Sequence, residues 1–195
     1  MIVGIIILLT FIGLILYYYT LPVKDLIGVK EIPKSYFINS PNRIDFQSRN
    51  ECAAYSAAYV LRHFNIEAQG NNIYKGFPYK LIDGTIAPKG IIKYLKKAGL
   101  SAGICRGSIE TLKKQLSKGI PVIAFIRVYP NKRYLHYVPV VGYDEKYIYL
   151  ADSLKFMVNS SDTLYNRKVD IKDFSTLWRT WIPMCNNTYF IINNN

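Results

Sequence analysis

Apolar residues run from Met1 to Val23 (MIVGIIILLTFIGLILYYYTLPV) with no charged side chain among them. Roughly 20 such residues cross the hydrocarbon of a bilayer, so the run predicts an N-terminal transmembrane helix, an anchor over 1–23. A cleaved signal peptide is the rival reading, but the run has no basic start and no A-x-A-like site before Lys24. Tyr17, Tyr18 and Tyr19 at its end fit an interfacial aromatic belt. Residues 24–45, with Pro33 and "INSPN" at 38–42, read as a tether with turns.

Beyond the tether the pattern turns periodic. After Gln47 a helix begins: Ser48 and Glu51 fit an S-x-x-E capping box, with Asn50 as the alternative cap. Ala53, Ala54, Ala57, Ala58, Val60, Leu61 and Phe64 then make a helix that can pack closely on several sides. A second helix is predicted over 88–98, where Pro88 suits the first position, Ile91, Ile92 and Leu95 form the inner stripe and Gly99 stops it. "LSAGICR" (100–106) reads as a strand. Ser108 caps a third helix, with Ile109, Leu112 and Leu116 inward and Gly119 as its stop. "PVIAFIRV" (121–128), "YLHYVPVVGY" (134–143) and "KYIYLAD" (146–152) are strands, the last two joined by a tight turn at Asp144–Glu145. A short helix over 171–181 and a strand over 188–193 complete the chain, and the final asparagines read as a frayed end. Helices first and an antiparallel sheet after them predict an α+β fold, a helical part packed on a sheet.

Charge adds a condition. The 195 residues carry 25 Lys and Arg against 13 Asp and Glu, a net +12. Near a bilayer this would favour an acidic lipid surface. No nucleic-acid motif accompanies it, so no nucleic acid is expected as partner. Lysines at 89, 93, 96 and 97 and at 113, 114 and 118 read as solvated faces of amphipathic helices. Lys24, Lys30 and Lys34 follow the apolar run and no basic residue precedes it. The positive-inside rule would then keep the domain cytoplasmic, while a signal-anchor with an outward domain stays open.

Three cysteines, Cys52, Cys105 and Cys185, form no CxxC, and only two histidines are present. Neither a disulfide framework nor a metal site is implied, and no cofactor is expected. Cys105, mid-strand, and Cys185 read as structural. Cys52 differs because it falls in the first turn of a helix, where the positive end of the dipole favours thiolate over thiol. Core packing is its plain alternative.

A thiolate nucleophile needs a base. His63 lies eleven residues along the same helix from Cys52, roughly 16 Å at 1.5 Å per residue, and is out of reach. His136 is in a strand, and tertiary folding could bring it to Cys52. A loop centred on Asp144 pairs His136 with Asp152, with opposed side chains about 5 Å apart. A two-residue loop instead pairs it with Ser153 and sends Asp152 to the other face. In the first register Asp152 would hold the imidazole tautomer and stabilise imidazolium. Gln47, just before the helix, could bind an oxyanion together with the Cys52 N–H.

Q-x-x-x-E-C-A-A with its Ala-rich helix, then "GIPVIAFIRV" and "LHYVPVVGYDEKYIYLADS", resemble the papain-like peptidases of the C39 group. The resemblance covers about Phe46 to Ile192 and implies a papain-like peptidase domain over 46–195. It places the family's nucleophile at Cys52, its histidine at His136, its acid at Asp152 and its oxyanion glutamine at Gln47. The best-known relatives cut bacteriocin leader peptides after a double glycine and are fused to a transporter; others stand alone. This sequence departs from them in three ways. It holds no transporter or ATPase region, so coupled export is not implied. Gln47 precedes Cys52 by five residues, against six in the leader-processing members. Pro139 sits in the histidine strand, where proline implies an edge or a bulge. The expectation is a single-pass membrane cysteine peptidase acting on a peptide or protein through a thioester. An amidase or acyltransferase on the same scaffold, or an inactive peptide-binding module, are the alternatives.

Overall fold

The computed structural model describes residues 2–25 and 31–194. Lys30, with the rest of 26–30 in the tether, lies outside the described residues, as do Met1 and Asn195.

The centre of the fold is the apolar pair β4 (Val122–Arg127) and β5 (Leu135–Tyr143). Almost every residue of both is buried, as strands covered on both faces require. Around them an eight-stranded sheet takes the order β1-β3-β8-β4-β5-β6-β7, with β2 paired to β5. The remaining strands are β1 (Val23–Lys24), β2 (Tyr36–Phe37), β3 (Leu100–Arg106), β6 (Tyr147–Leu150), β7 (Arg167–Asp170) and β8 (Thr188–Asn194). All pairs are antiparallel except β1 with β3. Alternation divides the core in two. Phe125 and Tyr137 face α2 (Cys52–His63) and α4 (Pro88–Lys97). Ala124, Ile126 and Val138 face α5 (Ile109–Leu116) and α6 (Ile171–Trp178). The α+β architecture predicted by element order is therefore present, with helices on both faces of the sheet.

Helix α2 sits close on the sheet because alanine puts almost nothing in the way. Ala54 and Ala57 are fully buried, and the Ser56 hydroxyl donates to the Tyr137 carbonyl at 2.9 Å. That hydroxyl would be costly to bury without a partner. Cys52 is four residues from Ser56 and so shares its face of the helix. The bond to Tyr137 thereby turns the thiol toward the start of β5, where His136 lies. In α4, Ile91 and Leu95 are fully buried, each contributing about 1.5–3 kcal/mol. Ser108 caps α5 as predicted, in a reciprocal box with Thr111.

Three expectations are corrected. Helix α1 (Ile2–Tyr18) has 17 residues, about 26 Å at 1.5 Å per residue, against a hydrocarbon core of about 30 Å. Among the described residues no helix is long and apolar enough to cross a membrane. The end of this helix and the residues after it contact the domain. Tyr17 and Tyr18 pack edge-on to Tyr79 at 5.0 and 6.2 Å. Tyr19 lies against the core, and Val23–Lys24 pairs with Cys105–Arg106. The three tyrosines expected in a lipid belt thus contact the domain. Second, parts of the expected tether join the sheet as β1 and β2, and Ile38 is buried beside them. Third, Asn193 and Asn194 are not frayed; they pair with Ser101 and Leu100 in β3.

Candidate active site

Cys52 is the first residue of α2. Neither predicted side chain caps that end. The Ser48 hydroxyl donates to Glu51 at 3.2 Å, and the Asn50 amide donates to the Asp83 carbonyl at 2.9 Å. Glu51 occupies the cap position without a side-chain cap bond. The positive end of the helix is therefore directed at Cys52 rather than at a capping group.

The imidazole of His136 is buried in β5, opposite Ile126 of β4. Its Nε2 lies 2.8 Å from Asp152 Oδ1. An ionised carboxylate only accepts, so Nε2 carries the hydrogen and donates it. Nδ1 is then the nitrogen left for the Cys52 thiol, which is near enough to act on the charge of this ring. Burial pushes the imidazole down, and the charge and hydrogen bond of Asp152, with Cys52 behind them, more than reverse this, to about 9. Burial pushes Asp152 up, and His136 and Arg167 overcome it, bringing the acid to about 2.

Neither predicted hairpin register is adopted. Tyr143 pairs with Ile148 and Gly142 with Tyr149, then a bulge shifts the ladder so that Val140 pairs with Leu150. Continued, this ladder sets Asp152 across from Val138, two residues from His136 and on the same face. Without the bulge Asp152 would oppose Pro139 and project from the other face. Pro139, singled out as a sign of irregularity, lies one residue before it. The bulge therefore brings acid and imidazole to one side of the sheet.

Gln47 is tied to the residue after Asp152. Its N–H donates to the Ser153 carbonyl at 3.0 Å, and the Ser153 hydroxyl donates to its Oε1 at 2.6 Å. Its Nε2 donates to the Arg49 carbonyl. Among the predicted site residues, the structure thus pairs His136 with Asp152, sets Cys52 near enough to act on the imidazole, and ties Gln47 to Ser153, the residue after Asp152. His63 is at the far end of α2, bonded to Ser40 at 3.0 Å. Cys105 and Cys185 are buried, and burial pushes their thiols up to about 11 and about 12. Cys52 is 7% exposed and lines neither of two cavities, of about 580 and 480 Å³, that lie beside Arg167 and beside Asp45.

Two residues of the site were not anticipated. Arg167 Nη1 donates to Asp152 Oδ2 at 2.8 Å. Asn166 clamps the Asp152 backbone, accepting from its N–H at 2.7 Å and donating to its carbonyl at 2.8 Å. A signal for Arg167 existed in "RKVD", where period-two alternation puts Arg167 inward with Val169.

A family model, the Peptidase C39 like family, matches residues 34–186. The chain belongs to this family. The peptidase domain of Streptococcus ComA, a bi-functional ABC transporter, superposes with a TM-score of 0.62 at 15% identity, covering 80% of this chain and 100% of that one. A double glycine motif protease from an AMS/PCAT transporter, in complex with the leader peptide, gives 0.56 at 19% identity, covering 79% and 92%. A Carica candamarcensis cysteine protease gives 0.54 at 14%, covering 84% and 100%. At these identities the likeness is one of fold, the papain-like fold. No curated protein matches the sequence significantly.

Proposed function

We propose that this C39-like domain is a cysteine peptidase, with Cys52 as nucleophile, His136 as proton carrier and Asp152 as its orienting acid. The observation that carries the reading is the buried His136–Asp152 pair, 2.8 Å apart, with Cys52 at the first turn of α2 near enough to act on the imidazole. In the thiolate–imidazolium pair the proton rests on His136 Nδ1, and Sγ attacks a peptide carbonyl as the thiolate. The oxyanion donors in this reading are the Cys52 N–H, in the uncapped first turn, and the Gln47 amide hydrogen left over from its bond to Arg49; one such donor contributes about 3 kcal/mol. His136 returns the proton to the leaving amine, leaving a thioester. Water, deprotonated by His136, then releases the acid and restores the thiol.

A peptide or protein is the proposed substrate, in keeping with the leader peptide held by the double glycine motif protease. The test is incubation of the full chain with a peptide library and mass-spectrometric detection of new termini. Cleavage is expected; an intact library together with a slowly reacting Cys52 overturns the reading. Labelling by iodoacetamide checks the base. His136→Ala should slow alkylation of Cys52 about 100-fold at pH 7, the scale of a lost general base. Equal rates would favour a binding module instead.

We also propose that residues 1–23 attach the domain to a lipid bilayer. Ile7, Leu9 and Phe11 of α1 are each at least 60% exposed, an apolar surface that water does not favour. Co-flotation of the full chain with vesicles containing acidic lipid is expected. The double variant Ile7→Lys, Phe11→Lys should lose it by about 10⁴-fold, since each of the two buried lysines costs about 3 kcal/mol in hydrocarbon.

A further inference from the structure

Asn166 and Arg167 spend their side-chain hydrogen bonds on a single residue. Asn166 fixes the Asp152 backbone from both sides, and Arg167 takes the carboxylate oxygen that is not committed to the imidazole. The Arg167 side chain is 5% exposed and that of Asp152 fully buried. A buried ion pair of this kind is weak evidence for stability as such. Its value is clearer once charges are counted across the site. When the thiol proton has moved to the ring, the groups are thiolate, imidazolium, carboxylate and guanidinium, two negative and two positive. Proton transfer between these groups leaves their net charge unchanged, but losing a proton to solvent from the thiol–imidazolium state takes the cluster from one net positive charge to none with Arg167, and from none to one net negative charge without it.

We propose that Arg167 is a positioning and charge-balancing residue: it locks Asp152 toward His136 and allows the thiolate–imidazolium pair to form at neutral pH. The step it supports is loss of the Sγ proton to solvent while the imidazole stays protonated, with the S–H bond broken and no other bond changed. This rests on the peptidase reading for the identity of the reacting groups, but not on any peptide being cleaved. The titratable groups that act on the site are His136 from β5, Asp152 after β6, Cys52 from α2 and Arg167 from β7. Tyr74 and Tyr137 also face Cys52, and burial keeps both phenols protonated to higher pH.

The experiment is the pH dependence of iodoacetamide labelling at Cys52 in the full chain, compared between wild type, Arg167→Gln and Arg167→Lys, with circular dichroism to verify folding. A unit charge about 10 Å away through an effective dielectric near 20 moves such a midpoint by about one pH unit. Arg167→Gln should raise the midpoint by that amount and slow labelling at pH 6 about tenfold. Arg167→Lys, which keeps the charge, should return most of the wild-type profile. A folded Gln variant with an unchanged midpoint overturns the proposal and leaves the peptidase reading standing. Should the Gln variant not fold, the Lys variant decides: a wild-type midpoint supports charge balance and a raised midpoint overturns it. Failure of the peptidase reading shows differently, as a wild type that cleaves no peptide.

Discussion

Cys52→Ala is expected to lose peptide hydrolysis by about 10⁶-fold, the scale seen when a nucleophile acting as part of a unit is removed. The fold should hardly notice. Cys52 lies among alanines, with Ala53 and Ala54 next to it. Removing one sulfur there costs on the order of 1 kcal/mol. The variant therefore separates chemistry from stability. Cys52→Ser should be almost as inactive, because an alcohol gives up its proton far less readily than a thiol at neutral pH and the site is charge-balanced around sulfur. The measurement is the cleavage rate of a peptide found from the library, beside a thermal melt. Residual hydrolysis above about 1% of wild type in Cys52→Ala would remove the sulfur from the mechanism. The His136→Ala variant should fail differently: its thiol remains, so it still alkylates, slowly.

Much of the architecture was legible where local chemistry decides it. Pro88 and Gly99 bound α4, Ser108 caps α5, and the β-branched runs at 122–127 and 135–143 are strands because little else accommodates them. The nearness of Cys52 to His136 was legible only as a possibility, since α2 and β5 are far apart in sequence and packing alone joins them. The acid was harder. Both predicted registers for Asp152 assumed a regular ladder, and the actual one contains a bulge between Val140 and Gly142. Parity, which decides the face, came out the same as in the first register, although the opposed residue did not. Pro139 hinted at irregularity without giving its sign. Arg167 and Asn166 were missed because "NRKVD" is too short and too polar to announce a strand on its own. It pairs only because β6 offers an edge. The end of α1 was missed for a related reason. Nothing local distinguishes Tyr17–Tyr19 facing lipid from the same rings facing Tyr79.

Asp152→Ala should be the most damaging single change to stability. It leaves the buried Arg167 guanidinium without its counter-ion and the His136 Nε2–H and Leu154 N–H without their acceptor. Breaking a buried pair from one side costs about 3–5 kcal/mol, a large part of a typical total of 5–15 kcal/mol. The melting temperature should fall by about 10 °C. Asp152→Asn keeps the volume and an acceptor oxygen, so it should melt higher than the alanine variant while losing about 10⁴-fold in kcat through the wrong imidazole tautomer.

The pH dependence carries a sign that a cavity alone would not produce. His136 is raised from 6.5 to about 9 in the folded protein. Its contribution is therefore complete below 6.5 and is lost as pH rises through about 9. Asp152 is lowered from 3.8 to about 2, so its contribution is complete above 3.8 and is lost as pH falls through about 2. Wild-type melting temperature should thus decline on both flanks. The two flanks report one shared interaction and do not add. In Asp152→Ala the imidazole keeps the burial that pushes it down and loses the carboxylate that raised it. The alkaline decline between 6.5 and 9 should then disappear, and the gap between wild type and variant should narrow across that interval. A gap that stays constant from pH 6 to 10 would mean that Asp152 acts on packing and not on the charge of His136.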